Sequence, residues 1–362
     1  RSFTSGVYPN ALSIADFDGD GVLDLVSVAV ETSPISVLLG NGDGTFKARR
    51  SFYTDSSSPS ISVGDFDGDG ALDLVTMAPT GNALSVILGN GDGTFKARRS
   101  FVSGAYPQSV SAADFNGDGK LDLVSMDNSS NTLSILLGNG DGTFQARRSF
   151  ASGTGPGSLV LADFDGDGVL DLVSADNSSN TLSVLLGNGD GTFKVRRSFA
   201  SGINPRSLSV ADVDGDGRLD LVATSVVNNT FSILLGNGDG SFKARSSFAS
   251  GNGPYYATVA DINGDGLIDL VSADRFSNTL SVLLGNGTTT TSFQGISHLS
   301  GVSVATQSAA LQAQGRIDSH LESVNAVAGV VGSALSRFTV AARLLGASVE
   351  ATKAAEGRVR NV

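Results

Sequence analysis

Asp16-Phe17-Asp18-Gly19-Asp20-Gly21-Val22-Leu23-Asp24 decides the fold, because the same nine-residue pattern starts again at Asp65, Asp114, Asp163, Asp212 and Asp261. Each copy follows the last by 49 residues, with no insertion between copies. Units of this length, each holding several short apolar runs, cannot bury a core alone. They array side by side, and each neighbour completes the next.

Working outward within the fourth copy, residues 158–162, 170–175, 182–186 and 192–199 read as four strands. The turn Gly187-Asn188-Gly189-Asp190-Gly191 supplies the positive φ angles of a tight hairpin. Continuous apolar runs in the middle strands suit sheets covered on both faces, and the basic last strand suits an exposed edge. The expected fold is mainly β: a six-bladed β-propeller of four-stranded antiparallel blades over residues 1–296. A stacked β-solenoid has shorter rungs and no use for a hairpin in every unit. In the sixth copy Gly285-Asn286-Gly287 is followed by threonines 288–291 in place of Asp-Gly. Either that stretch makes the sixth outer strand, or Arg1-Ser2-Phe3, a copy of Arg50-Ser51-Phe52, seals the ring. The same copying suggests that the chain begins partway through a longer protein.

The formal charge is −12, yet 22 of the 36 acidic residues lie in the six loops, leaving 14 against 24 basic ones. Six divalent cations would cancel that charge, so the acidity reads as a metal requirement and says little about macromolecular partners. Carboxylates at positions 1, 3, 5 and 9, glycine at 6 and a backbone carbonyl at the variable position 7 wrap oxygen around a hard cation. The expected ligands are Asp16, Asp18, Asp20, Val22 and Asp24; Asp65, Asp67, Asp69, Ala71 and Asp73; and Asp114, Asn116, Asp118, Lys120 and Asp122. The later loops offer Asp163, Asp165, Asp167, Val169 and Asp171; Asp212, Asp214, Asp216, Arg218 and Asp220; and Asp261, Asn263, Asp265, Leu267 and Asp269. Calcium, about six ions, is the expected cofactor. Asn116 and Asn263 keep an oxygen ligand and imply weaker binding. An EF-hand is excluded, because position 12 holds Ser27, Thr76, Ser125, Ser174, Ala223 and Ser272 where that loop needs glutamate. A metal-free turn would hold four repelling carboxylates together six times over. Stabilisation is the expected role, ahead of regulation.

This loop, with the Leu-Asp-Leu-Val strand that follows it (170–173, for example), resembles the FG-GAP or VCBS-type repeats of integrin α-subunit propellers and bacterial surface proteins. The resemblance covers residues 10–296 and implies calcium loops on one face of the ring and adhesion partners on the other. All five tyrosines, Tyr8, Tyr53, Tyr106, Tyr255 and Tyr256, lie in or beside the links between repeats, on the expected opposite face. They are candidates to stack on a sugar or peptide, against a plainer reading as loop packing. The Lys47, Arg49, Arg50 row and its equivalents are spread evenly around the ring, which reads as a solvated protective edge and not a nucleic-acid patch.

Catalysis is not expected. Both histidines, His298 and His320, fall after the predicted propeller, and there is no cysteine. Asp127, Asp176 and Asp274 recur at one repeat position, which points to turn chemistry. No apolar run approaches the roughly 18 residues of a spanning helix.

Residues 297–362 form a separate segment rich in alanine, valine and serine. Ile317, Leu321, Val324, Ala328, Val331, Leu335, Phe338, Ala342, Leu345 and Val349 follow steps of four and three, predicting a long coiled-coil helix from about 303 to 357. Residues 304–310 and 317–325, Ser336-Arg337-Phe338 and residues 357–362 resemble the C-terminal conserved region of bacterial flagellins. That resemblance implies an extracellular bacterial, flagellum-like filament, with the helix packed in the polymer core against other subunits or an N-terminal helix. The propeller would then be displayed on the filament surface, with a possible adhesive role. The alternative is a secreted or cell-surface glycan- or protein-binding propeller, adhesin- or lectin-like, dimerised by its helix.

Overall fold

Short apolar runs punctuated by Asp-Gly and Asn-Gly turns fold here as antiparallel meanders. The computed structural model describes residues 2–5, 9–29, 34–53, 60–285 and 294–298. Among these, six four-stranded sheets form, each from strands consecutive in the chain. Blade three comprises Pro107–Ala113, Asp122–Asp127, Thr132–Leu136 and Arg148–Ala151. Its register pairs Leu123 with Ala112 and Leu136, and Ser125 with Val110 and Ser134. All described strands lie within one compact unit, Arg1–His298. The helix expected over 303–357, its coiled-coil partners and the flagellin-like segment lie outside the described residues, as does Tyr8.

Blades two to five bury their middle strands on both faces, while blade six is more open, with Leu280 49% exposed. Asp122–Asp127 and Asp171–Asp176 are buried at every position. The core runs between blades: Phe66, Val75, Met77, Leu84 and Val86 of blade two pack with Val110, Leu123 and Leu136 of blade three. A leucine or valine so enclosed contributes roughly 1.5–3 kcal/mol, so the interfaces between blades carry much of the stability.

The outer strand departs from expectation. In blade four the paired strand is Arg197–Ala200, and residues 192–196 leave the ladder. Only an isolated bridge joins Phe193 to Gly187. The cause lies in the preceding blade. The Phe193 ring wedges between Phe115 and Phe150, with centroids 6.2 and 5.1 Å away, both edge-on. Phe95, Phe144 and Phe242 repeat the arrangement. A strand continuing through 192–196 would have kept this ring from its neighbour.

The basic row is largely exposed, as expected of a solvated edge, and it also makes contacts that the sequence did not signal. Its three positions make three different contacts. Arg50, Arg99, Arg148 and Arg197 donate to the carbonyls of Asp92, Asp141, Asp190 and Asp239 in the next blade's hairpin. Arg98, Arg147, Arg196 and Arg245 donate to Ser85, Ser134, Ser183 and Ser232, which are buried in the third strands. The lysines reach the acidic loops.

Blade six draws its outer strand, Gln294–His298, from its own repeat. His298, expected beyond the propeller, pairs with Ser281 inside it. Phe3 instead docks on Phe46 at 5.0 Å, the position Phe52 takes against Phe95.

Candidate metal centre

Each acidic loop joins the first strand of a blade to the second. Its tight path needs glycine at positions 4 and 6, where φ is +72° at Gly19 and +83° at Gly21. Position 1 organises the loop: Asp16 accepts N–H bonds from Gly19, Asp20 and Gly21 at 2.8–3.2 Å. Position 9 anchors it to the sheet, where buried Asp24 accepts from Phe17 at 2.8 Å and Gly40 at 2.7 Å.

Positions 1, 3 and 9 converge. In four loops one carboxylate oxygen from each lies within 4.8 Å of the others: Asp16, Asp18 and Asp24; Asp65, Asp67 and Asp73; Asp163, Asp165 and Asp171; Asp212, Asp214 and Asp220. Position 5 lies outside these triads. Asp20, Asp69 and Asp167 accept the N–H of Val22, Ala71 and Val169 at position 7. In loops three and six, Asn116 and Asn263 accept the backbone N–H of Asp118 and Asp265 and donate their side-chain amide to the carboxylate of that same aspartate.

The donor set fits a hard divalent cation. Asp18 Oδ1 and Asp165 Oδ1 are buried without any hydrogen-bond partner, an expensive state for a carboxylate unless a cation meets it. Burial is the main cause that raises the carboxyls of Asp73 and Asp220 to about 6, with the loop's other aspartates adding to it and two N–H bonds opposing it. Asp122 and Asp171 are raised for the same reason. A divalent ion would relieve both the burial and the repulsion. Asp16, Asp18 and Asp24 and their equivalents would hold it, with the charge supplied by the ion.

Sequence reasoning missed a participant. Lys47 Nζ stands 3.1 Å from Asp18 and 3.6 Å from Asp20, and Lys96 is 3.3 Å from both Asp67 and Asp69. Lys194 and Lys243 make the equivalent approaches to Asp165 and Asp214. The signal was present in the repeats. Where position 3 is Asn116, the lysine becomes Gln145, and where it is Asn263, the residue after the hairpin phenylalanine is Gln294. Acid and base change together, so the lysine balances the position 3 carboxylate.

The loop is also part of the contact between blades. Gly93, Gly142, Gly191 and Gly240 of each following hairpin donate to the carbonyls of Phe17, Phe66, Phe115 and Phe164 at position 2. Whatever fixes a loop therefore fixes two blades.

At the other end of the blades, Asn82, Asn131, Asn180 and Asn229 adopt positive φ and accept N–H bonds from Tyr106, Gly155, Asn204 and Gly253 in the links. Tyr106 is 46% exposed and Tyr256 68% exposed there, while Tyr255 is half-buried. Tyr53 ends the outer strand of blade one. Asp127 and Asp176 lie in separate sheets, each bonded to its own serines, Ser125 and Ser134 or Ser174 and Ser183. No carboxylate pair forms between them. A Cβ on Gly153 would meet Asp176 Oδ2 at 2.3 Å, so the link can pass this carboxylate only as glycine.

Meandering four-stranded blades with an acidic loop between first and second strands define a β-propeller of repeated Asp-rich units. The FG-GAP-like repeat model matches residues 16–76, 75–125, 114–174, 163–223 and 221–272, and the chain belongs to that family. No curated protein sequence matches it. Among solved structures, a lectin of Agrocybe aegerita that recognises non-reducing terminal N-acetylglucosamine is similar, with a TM-score of 0.56 and 22% identity over 80% of this chain and 79% of that one. A functionally unknown protein from Desulfotomaculum acetoxidans gives 0.57 and 15% over 81% and 86%. BBS1N, solved in complex with ARL6DN, gives 0.54 and 13% over 76% and 79%. At these identities the likeness shows the fold alone.

Proposed function

We propose that the chain is a lectin-like binding propeller, secreted or displayed on a cell surface, with calcium as its staple and glycans as its ligands. The observation that carries this reading is the contrast between its two ends. Close-set carboxylate triads form one end, and exposed aromatic side chains such as Tyr106 and Phe276 stand on the other. Aromatic rings on a fixed backbone suit the apolar faces of sugar rings. The likeness to a glycan-recognising lectin supports the choice of ligand over a peptide. Binding, with no turnover, is the activity proposed. The flagellum-like filament draws no support from the comparisons, and residues 300–358, on which it rested, lie outside the described residues.

The test is a glycan array probed with calcium-loaded protein, with and without chelator. Calcium-dependent binding to a defined set of glycans is expected. Silence across the array, from protein shown to be folded, would contradict the reading.

A further inference from the structure

A repeat array is its own alignment: each blade can be read position by position against the others. At the acidic-loop end, positions 1, 4, 5, 6 and 9 carry the same residue in all six copies. At the other end, blades three and four carry Asp127-Asn128-Ser129-Ser130-Asn131-Thr132 and the identical 176–181 between their second and third strands. Blade six carries Asp274-Arg275-Phe276-Ser277-Asn278-Thr279 at those positions. At the start of the first strand, Gln108 and Gly157 give way to Arg206 in blade five and Tyr255 in blade six.

These departures meet in space. Arg206 and Arg275 both approach the Tyr255 ring, their guanidinium carbons 5.0 and 5.1 Å from its centroid. Tyr256 packs edge-on against Tyr255 at 5.5 Å. Phe276 is 62% exposed and lies over Gly253, where a Cβ would come within 2.4 Å of its ring. The backbone beneath is pinned: Arg275 and Phe276 donate to the carbonyls of Gly253 and Asn252, and Gly253 donates to Asn229. None of the ion pairs among the described residues involves either arginine. Arg206 Nε is without a hydrogen-bond partner as well.

Two guanidinium groups gathered on one ring, with no ion-paired carboxylate among the described residues, repel each other and favour an anion. The exposed phenylalanine beside them offers a flat apolar surface. A carboxylate or sulfate attached to a pyranose ring satisfies both features, the acid on the arginines and the C–H face of the sugar on the aromatic. We propose that the junction of blades five and six, built from Arg206, Tyr255, Arg275 and Phe276, binds an anionic sugar residue. This rests on the glycan-binding reading and narrows it to one ligand class and one junction. A bare phosphate would use the arginines and leave Phe276 idle.

The variants are drawn from the chain itself. Arg275→Asn with Phe276→Ser restores what blades three and four already fold with, and Arg206→Gln copies blade three. Calcium-loaded wild type and variants are compared on an array carrying oligogalacturonides, sialylated and sulfated glycans, neutral chito-oligosaccharides and poly-glutamate peptides. Melting temperature serves as the control for folding. The expected result is binding of carboxylated or sulfated sugars that weakens with salt and falls roughly ten-fold or more in either variant, as the loss of a charge-assisted contact predicts. Phe276→Ser alone should weaken sugar binding while leaving any binding of inorganic sulfate unchanged. Binding of neutral glycans only, at equal strength in all variants, overturns this inference and leaves the lectin reading intact. Arginine-dependent capture of poly-glutamate without sugar binding overturns it in favour of an acidic peptide. No glycan binding of any kind overturns both readings.

Discussion

The two ends of the blades are built by the same 49-residue repeat and differ in how far the copies vary. At the acidic-loop end, every position 1, 4, 6 and 9 is held: the aspartates accept backbone N–H groups, the glycines take positive φ, and the loop carbonyl at position 2 clasps the next hairpin. A change there would disturb two blades at once. At the other end a repeated asparagine fixes the backbone of each link, and the side chains mounted on it are free to differ: Tyr106, Gly155, Asn204 and Gly253 occupy one equivalent position. Uniformity marks what the fold needs, and divergence on a rigid frame marks where recognition can be written.

If the acidic end is a metal staple, excess chelator should do the greatest damage. A ligand at one hundred times its Kd stabilises by about 2.7 kcal/mol per site, so emptying several sites should lower Tm by about 15 °C or more. A melting curve that ignores chelator and calcium alike would erase the distinction between the ends. Asp163→Ala comes next. It removes the acceptor of three backbone N–H groups and a member of the fourth triad, at a cost of about 2–4 kcal/mol, read from denaturant unfolding in calcium. Phe276→Ser, by contrast, should leave stability within about 0.5 kcal/mol of wild type.

A finer distinction separates loops with lysine from loops without. Lys194→Gln removes the ammonium beside Asp165, so calcium should bind that loop roughly two- to five-fold more tightly, measured by calorimetry. Unchanged or weaker binding would mean that the lysine helps to hold the loop and does not compete with the ion.

The smallest effect lies between the ends. Burial holds the Asp127 and Asp176 carboxyls above the ordinary aspartate value, against the opposing pull of their serine bonds. The folded state therefore favours the protonated form. Its stabilising contribution is fully present below the unfolded value of about 3.8 and is lost as pH rises through the raised folded values. Asp127→Asn with Asp176→Asn removes this pH dependence, so the variant should gain stability relative to wild type as pH rises above the unfolded value. A difference that does not change with pH would show these carboxyls to be ordinary.

Much of this was legible before the fold was seen. The 49-residue period gave six blades, and Asp-Gly turns placed the loops and hairpins, because backbone demands at those positions are local. Contacts between blades were not legible, since nothing local signals them. Phe193 reads as strand, yet it leaves the ladder for Phe115 and Phe150 of the blade before. Lys47 reads as an edge charge, yet it crosses 29 residues to Asp18, and only the paired change to Gln145 and Asn116 hints at it. The last outer strand, 294–298, was one of two alternatives, because the loss of its hairpin signature left Arg1-Ser2-Phe3 as a rival. Arg206 and Tyr255 sit one repeat apart, at the same position of adjacent blades, and become neighbours only when the repeats are laid side by side.

The central claim is that these loops hold divalent ions, and native mass spectrometry of the chain with and without saturating calcium tests it most directly. The account predicts a mass increase corresponding to about six calcium ions, reduced by one in Asp163→Ala. Identical masses in the two conditions would contradict it.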